Sequence, residues 1–181
     1  MSRLIRQVRV EGDVVFITLT KGYEAMIDAC DRHLVEGRNW HSKETFRADG
    51  SLRSVYAISG KPNLLMHRVL MGDDQPDHVD HIDGNGLNNR RHGESGNLRL
   101  ATVAQNAQNQ SAPCSNKSGK KGVIWNKACQ KWQAQIRKDG HLKYLGVFVD
   151  KISASAAYDA AAAGLFGDFA RPNSSMETPH V

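Results

Sequence analysis

Asp80 and His81 stand side by side in Val79-Asp80-His81-Ile82-Asp83-Gly84-Asn85, Asn97-Leu98-Arg99 lies further on, and Asn106 comes nine residues after Asn97. A near-neutral imidazole is the side chain best matched to taking a proton from water, so His81 is the candidate general base. Carboxylate and amide oxygens are hard donors. Asp80 with Asn106 could hold one Mg²⁺ or Mn²⁺ ion, with waters and phosphate oxygens in the other positions. Asn97 fits a bracing role that orients His81 through the loop backbone, and Arg68, Arg90, Arg91 and Arg99 are candidates for gripping phosphates. An activated water, charge neutralisation and help for a departing 3′ oxygen are what hydrolysis of a phosphodiester requires. Each element alone carries little weight, because an Asp-His pair is usually surface and Asn-rich loops are usually turns; their order along the chain carries more. Asp83 and Asn85 read as turn formers at a hairpin tip, and His78 and His92 as solvent-exposed residues outside the pattern.

The elements that must position these residues follow from local composition. Asp77 to Gly96 is poor in apolar residues and rich in turn formers (Asp83-Gly84, Asn85-Gly86, Asn88-Asn89), which predicts a hairpin-like loop region. Thr102 as N-cap with Gln105 three residues later forms a capping box, so a helix should follow with Asn106 in its first turns. Upstream, Leu64 to Met71 reads as a short helix presenting His67 and Arg68. Residues 1 to about 60 read as short strands: Val14 to Thr20 is rich in β-formers, Lys21-Gly22 breaks it, and Asp49-Gly50 and Ser59-Gly60 mark further turns. No chemistry is read there.

Asp80-His81, Asn97-Leu98-Arg99 and Asn106 together resemble the His-Asn-His endonuclease motif, and with Met66-His67-Arg68 upstream they resemble its phage and intron-encoded homing subgroup. The resemblance covers Asp80 to Asn109. It implies a ββα-metal fold, a hairpin against a helix around one metal ion, cutting double-stranded DNA to leave 5′-phosphate and 3′-hydroxyl ends. His81 and Asn97 then take the catalytic positions and Asp80 and Asn106 the metal positions. The loop from Arg90 to Gly96 is longer than in that subgroup, so Asn89 competes with Asn97 for the middle position; Asn97 is preferred for its spacing to Asn106 and for the Leu98 that follows. The zinc-binding cysteine pairs that brace many relatives are absent, so no structural zinc is expected and core packing must hold the hairpin.

After Ser111 to Gly119, a Ser/Asn/Gly/Pro mixture read as a linker, the pattern is the clearest in the chain. Lys131 to Lys138 alternates, with Trp132, Ala134 and Ile136 on one face and Gln133, Gln135 and Arg137 on the other. Asp139-Gly140 makes a two-residue hairpin turn that sets Arg137 opposite Leu142. Lys121 to Asn126 supplies a third strand, and Asp150 caps a helix that runs through Ala154 to Ala163 and stops near Gly164 or Gly167. Lys121-Gly122-Val123, Lys131-Trp132, Leu145-Gly146-Val147-Phe148 and Ala156-Ala157-Tyr158-Asp159 resemble the plant Apetala/ethylene-response-factor DNA-binding domain, over about Gly119 to Asn173. The resemblance implies a three-stranded sheet laid in the major groove, with Lys121, Asn126, Lys127, Gln135, Arg137, Lys143 and Tyr144 toward DNA. Ile124 and Leu142 stand where the plant domains carry arginines.

The totals agree with this division. Net charge is +5, yet Asn116 to Phe148 holds eight bases against the one acid Asp139, so that segment carries +7 and the remainder −2. A dense local cation patch with interleaved Trp and Tyr points to a polyanion. No apolar run approaches the roughly 20 residues of a membrane helix, and no apolar stretch follows Arg3 and Arg6 as in a signal peptide. The expectation is a cytoplasmic protein, in a bacterial host cell if phage or prophage encoded, with three free thiols (Cys30, Cys114, Cys129) and no membrane partner. The sequence thus predicts an α+β chain: a nuclease domain over 1–110 with a β-rich part over 1–60, a linker over 111–119, a small three-stranded sheet and helix over 120–173, and a tail over 174–181. A monomer that nicks is expected, with a dimer cutting both strands as the alternative. The competing function is a DNA-binding regulator or packaging accessory with a degenerate nuclease fold.

Overall fold

The computed structural model describes residues 6–60, 63–72, 77–113 and 115–176. The fold is mixed α+β, with several small antiparallel sheets and few helices, and it divides into two compact units, Met1–Val103 and Ala104–Val181. Among the described residues no helix is long and apolar enough to cross a membrane. Cys30 and Cys129 are free, exposed thiols; Cys114 and residues 177–181 of the expected tail lie outside the described residues.

In the first unit, β1 (Val8–Glu11), β2 (Val14–Thr18) and β3 (Glu24–Asp28) form one antiparallel sheet. The β-formers after Val14 alternate as a half-buried strand should, with Val15 and Ile17 inward. This strand ends two residues earlier than expected, because Thr20–Gly22 turns, with Lys21 and Gly22 at positive φ. A short helix α1 (Arg32–Val35) leads to a second sheet of β4 (Trp40–Phe46), β5 (Leu52–Ser59) and β6 (Leu64–Leu65), followed directly by α2 (Met66–Met71). The core joins Val15, Ile17, Ile27, Trp40, Met66 and Leu70, and Leu98 reaches it from a later strand. Each such side chain contributes about 1.5–3 kcal/mol by leaving water. Trp40 is 1% exposed and its indole N–H still donates to the Val35 carbonyl at 3.0 Å. Two short strands, β7 (His78–His81) and β8 (Leu98–Ala101), pair antiparallel with His81 opposite Leu98 and Asp80 opposite Arg99.

The second unit takes in all of α3 (Val103–Asn109) after its first residue. Its sheet is β9 (Val123–Asn126), β10 (Lys131–Lys138) and β11 (His141–Phe148), with β10 central. The third strand starts at Val123 because Lys120–Gly122 turns; Gly122 has φ +66°, and a Cβ there would lie 2.3 Å from the Gln135 carbonyl oxygen. The segment read as a linker is not featureless: Asn116 donates to the Lys120 carbonyl at 2.7 Å and accepts from the Ser118 backbone and hydroxyl. Asp139 and Gly140, both at positive φ, close the β10–β11 hairpin with Arg137 opposite Leu142. Helix α4 (Lys151–Phe166) is capped by Asp150, which accepts from the Ser153 N–H at 2.7 Å, and ends where Gly167 turns to φ +53°. Its small residues Ala154 and Ala162 bring it close against Val123, Ala134 and Ile136.

Candidate active site

His81 closes β7 and is 7% exposed. Its ring meets His67 of α2 edge-on, centroids 5.0 Å apart, and Tyr56 of β5 at 6.0 Å; Tyr56 also packs on His67 at 5.8 Å. The short helix thus presents His67 to His81, where it is buried. Burial pushes the His67 pKa down to about 3, with the neighbouring His81 and Arg68 adding to the effect. Burial likewise lowers the pKa of His81, opposed in part by the Asn89 contact and the charges of Asp83 and Asp80. Both rings are neutral at physiological pH.

Asn89 is fully buried, and its Oδ1 lies 3.4 Å from Nε2 of His81 while its Nδ2 donates to the Leu87 carbonyl at 3.0 Å. With Nδ2 so committed, Oδ1 is the atom facing the imidazole edge. Asn97 acts on the backbone that follows. Its carbonyl accepts from the Ile82 N–H at 2.9 Å, its Oδ1 from the Asp83 N–H at 2.9 Å, and its Nδ2 donates to Asp83 Oδ1 and to the Asn88 carbonyl. The two asparagines that the sequence leaves in competition thus hold different parts of the site. Asp83 accepts from the Asn85 N–H at 2.7 Å and from Asn88 Nδ2 at 2.9 Å, and so organises the loop tip. Gly86 passes so close to β5 that a Cβ would lie 2.5 Å from the Val55 carbonyl oxygen and 2.6 Å from the Tyr56 ring.

Asp80, 5% exposed, accepts from Arg99 Nε at 2.9 Å and Nη2 at 2.7 Å, both on Oδ2. Arg90 and Arg91 are engaged by carboxylates of the β-rich part: Arg90 bonds Asp28 at 2.8 Å and Asp13 at 2.7 Å, and Arg91 grips both oxygens of Asp31 at 2.7 Å. Arg68 Nη2 reaches the Asp77 carbonyl at 3.5 Å. Asn106 is half-buried on α3, in the second unit. A thiol, carboxylate and imidazole also gather at Cys30, Asp31 and His92, within 4.8 Å of one another, but Arg91 already occupies both Asp31 oxygens. A cavity of about 410 Å³ floored by Val15, Ile17 and Trp40 includes neither His81 nor Asp80 in its lining.

In the second unit, Gln135, Arg137 and Tyr144 stand on the sheet face away from α4, where Arg137 and Tyr144 are exposed. Asn126 shares that face and donates to Gln133 at 3.0 Å. Lys143 lies in register with Ile136 and so belongs to the helix-side face at its exposed edge, while Lys127 is exposed in the β9–β10 turn. Lys121 is half-buried, donating to the Gln108 carbonyl at 2.6 Å; burial pushes its pKa down to about 8, with Arg171 adding to the effect.

A buried imidazole facing a buried amide, next to a carboxylate held by an arginine, is the class of arrangement the first unit presents. Known proteins give this class a more particular cast. Over 96 residues the chain is 38% identical to a protein of Acanthamoeba polyphaga mimivirus named as an uncharacterized HNH (His-Asn-His) endonuclease, covering 53% of this chain and 46% of that protein. Over 63 residues it is 41% identical to protein 3.8 of Escherichia phage T7, covering 35% of this chain and 49% of that protein. The chain spans about half the length of these relatives. No family model and no solved structure matches it.

Proposed function

We propose that this chain is a divalent-metal-dependent endonuclease of the His-Asn-His type that hydrolyses phosphodiester bonds of double-stranded DNA, with His81 as general base. The carrying observation is the buried, neutral His81 whose Nε2 faces Asn89; similarity to a viral protein named as an HNH endonuclease supports the same reading. The His81 imidazole takes the proton of the attacking water, and Asn89 Oδ1 beside Nε2 stabilises the imidazolium that results. Tyr56 and His67 wall the ring and exclude water from its flank. Asp80 offers a carboxylate already oriented by Arg99, a hard donor that fits Mg²⁺ or Mn²⁺. Such an ion, when bound, supplies charge neutralisation at the phosphate and the leaving oxygen. A homing-type monomer that nicks one strand is part of the proposal, as is a DNA-binding role for the basic sheet of the second unit.

Supercoiled plasmid incubated with the protein and Mg²⁺ should be nicked or linearised, with chelation abolishing the reaction and His81→Ala reducing it to background. An alanine variant that cuts as well as the parent would sink the mechanism.

A further inference from the structure

The open face of the second unit's sheet has an unusual make-up for a basic DNA-contacting surface. Its cations stand at the ends, Lys131 near the β9–β10 turn and Arg137 near the hairpin tip. Between them lie amides and apolar groups. Ile124 and Val147 flank Gln133 in register from the two sides, Tyr144 is paired with Gln135, and Leu142 with Arg137. Leu142 is 54% and Ile124 42% exposed, large apolar groups held in water on a face that a purely phosphate-binding surface would fill with lysine. The amides are tied in a chain that runs across the face: Asn126 Nδ2 donates to Gln133 Oε1 at 3.0 Å, and Gln133 Nε2 to Gln135 Oε1 at 3.1 Å. This chain pre-orients both glutamines before any partner arrives.

The geometry of the strands says where such a face goes. β9 pairs with β10 only over Lys131–Ala134, so beyond Ala134 the β10–β11 hairpin continues as a two-stranded ribbon, the width a B-DNA major groove of about 12 Å admits. Gln135, Arg137, Leu142 and Tyr144 ride on that ribbon. In the major groove an amide pairs with the N6 and N7 edge of adenine, an aliphatic group meets the thymine methyl, and guanine is read chiefly by Arg or Lys. We infer that this face recognises A·T-rich duplex DNA through the major groove, with Gln135, braced by Gln133, reading adenine, Leu142 contacting thymine methyls, and Arg137 reading a single guanine at the tip. This rests on the proposed DNA-binding role of the unit and adds to it the base composition of the target.

The test uses the full chain with EDTA present, so that cleavage does not deplete the bound duplexes. Selection from a randomised duplex library at 0.15 M salt should enrich a core of A·T pairs flanked by one G·C pair. Gln135→Ala, checked for folding by circular dichroism, should weaken binding to that site roughly ten-fold and binding to a G·C-rich duplex by clearly less, so that the preference between the two narrows. Replacing thymine with uracil in the site should weaken binding by the parent roughly three- to five-fold per methyl group removed, with a smaller penalty for Leu142→Ala. Equal affinity for all duplexes, or selection of a G·C-rich site, overturns the inference while leaving DNA binding intact. Failure to bind any duplex at low salt overturns the DNA-binding reading itself.

Discussion

His81 works through what surrounds it. Its ring is fixed by Asn89 at one edge and by Tyr56 and His67 on its flanks, while Asn97 fixes the peptide units that follow. These two kinds of support should separate experimentally. Asn97→Ala removes two donated and one accepted side-chain bond and leaves Asp83 poorly satisfied, so it should cost about 3 kcal/mol, read as a lowered urea midpoint. Asn89→Ala removes the group facing Nε2 of His81 and should lower plasmid cleavage about 10–100-fold, and Asn89→Asp, which keeps an acceptor at that edge but sets a carboxylate oxygen against the Leu87 carbonyl, should recover only part of it. Gly86→Ala meets backbone and ring atoms closer than 3.0 Å on β5, so the loop must move; a loss of about 1–3 kcal/mol is expected in thermal or urea unfolding.

The long loop between Asn89 and Asn97 is an element with its own fastening. Asp28, at the end of β3, accepts from Arg90 Nε and from the backbone N–H groups of Arg91 and His92, while Asp31 takes the guanidinium of Arg91, which also donates to the Leu70 carbonyl. Burial alone would raise the Asp28 pKa; the bonds from Arg90, Arg91 and His92 together lower it, so its carboxylate is more acidic folded than unfolded. Such a group stabilises the fold above its unfolded pKa of about 4, and the stabilisation disappears as pH falls through the lower folded value. Urea midpoints of the parent should therefore fall below pH 4, and Asp28→Asn, already weakened by about 3 kcal/mol, should show a flatter acid limb. An equally steep limb in the variant would remove Asp28 from the account. This fastening also marks where the sequence stops being readable. The strand alternation around Ile136, the Asp139-Gly140 turn and the Asp150 cap are local patterns with periods of a few residues, and they appear in the structure at the expected positions. Asp28 and Arg90 are separated by 62 residues and Tyr56 from His81 by more than a turn or helix period can report, so in sequence the β-rich part is chemically silent. The burial of His67 escapes the sequence for the same reason: a histidine on a short helix looks exposed until a second ring from elsewhere packs against it.

Across the whole molecule the charge is segregated: Asn116 to Phe148 carries +7 and the remainder −2. The His81 cluster, with its buried imidazoles and paired carboxylates, belongs to the first unit, while the excess cation belongs to the second. Affinity for a polyanion should then come from the second unit and the rate of bond cleavage from the first. Phosphate neutralisation releases condensed counterions, so the observed association constant falls with salt with a slope near −0.9 per phosphate neutralised. Lys127, Lys131 and Lys143 are all exposed and none belongs to the His81 cluster. Replacing the three with glutamine should shallow the salt slope by roughly one unit for each phosphate left without its lysine and raise KM for plasmid, with kcat at saturating DNA unchanged. Cleavage followed at several plasmid concentrations between 50 and 200 mM salt, roughly the range over which such interactions cost orders of magnitude in affinity, supplies both quantities. A fall in kcat with KM and slope unaltered would mean that the lysines act on the chemical step, and the division of labour between the units would be wrong.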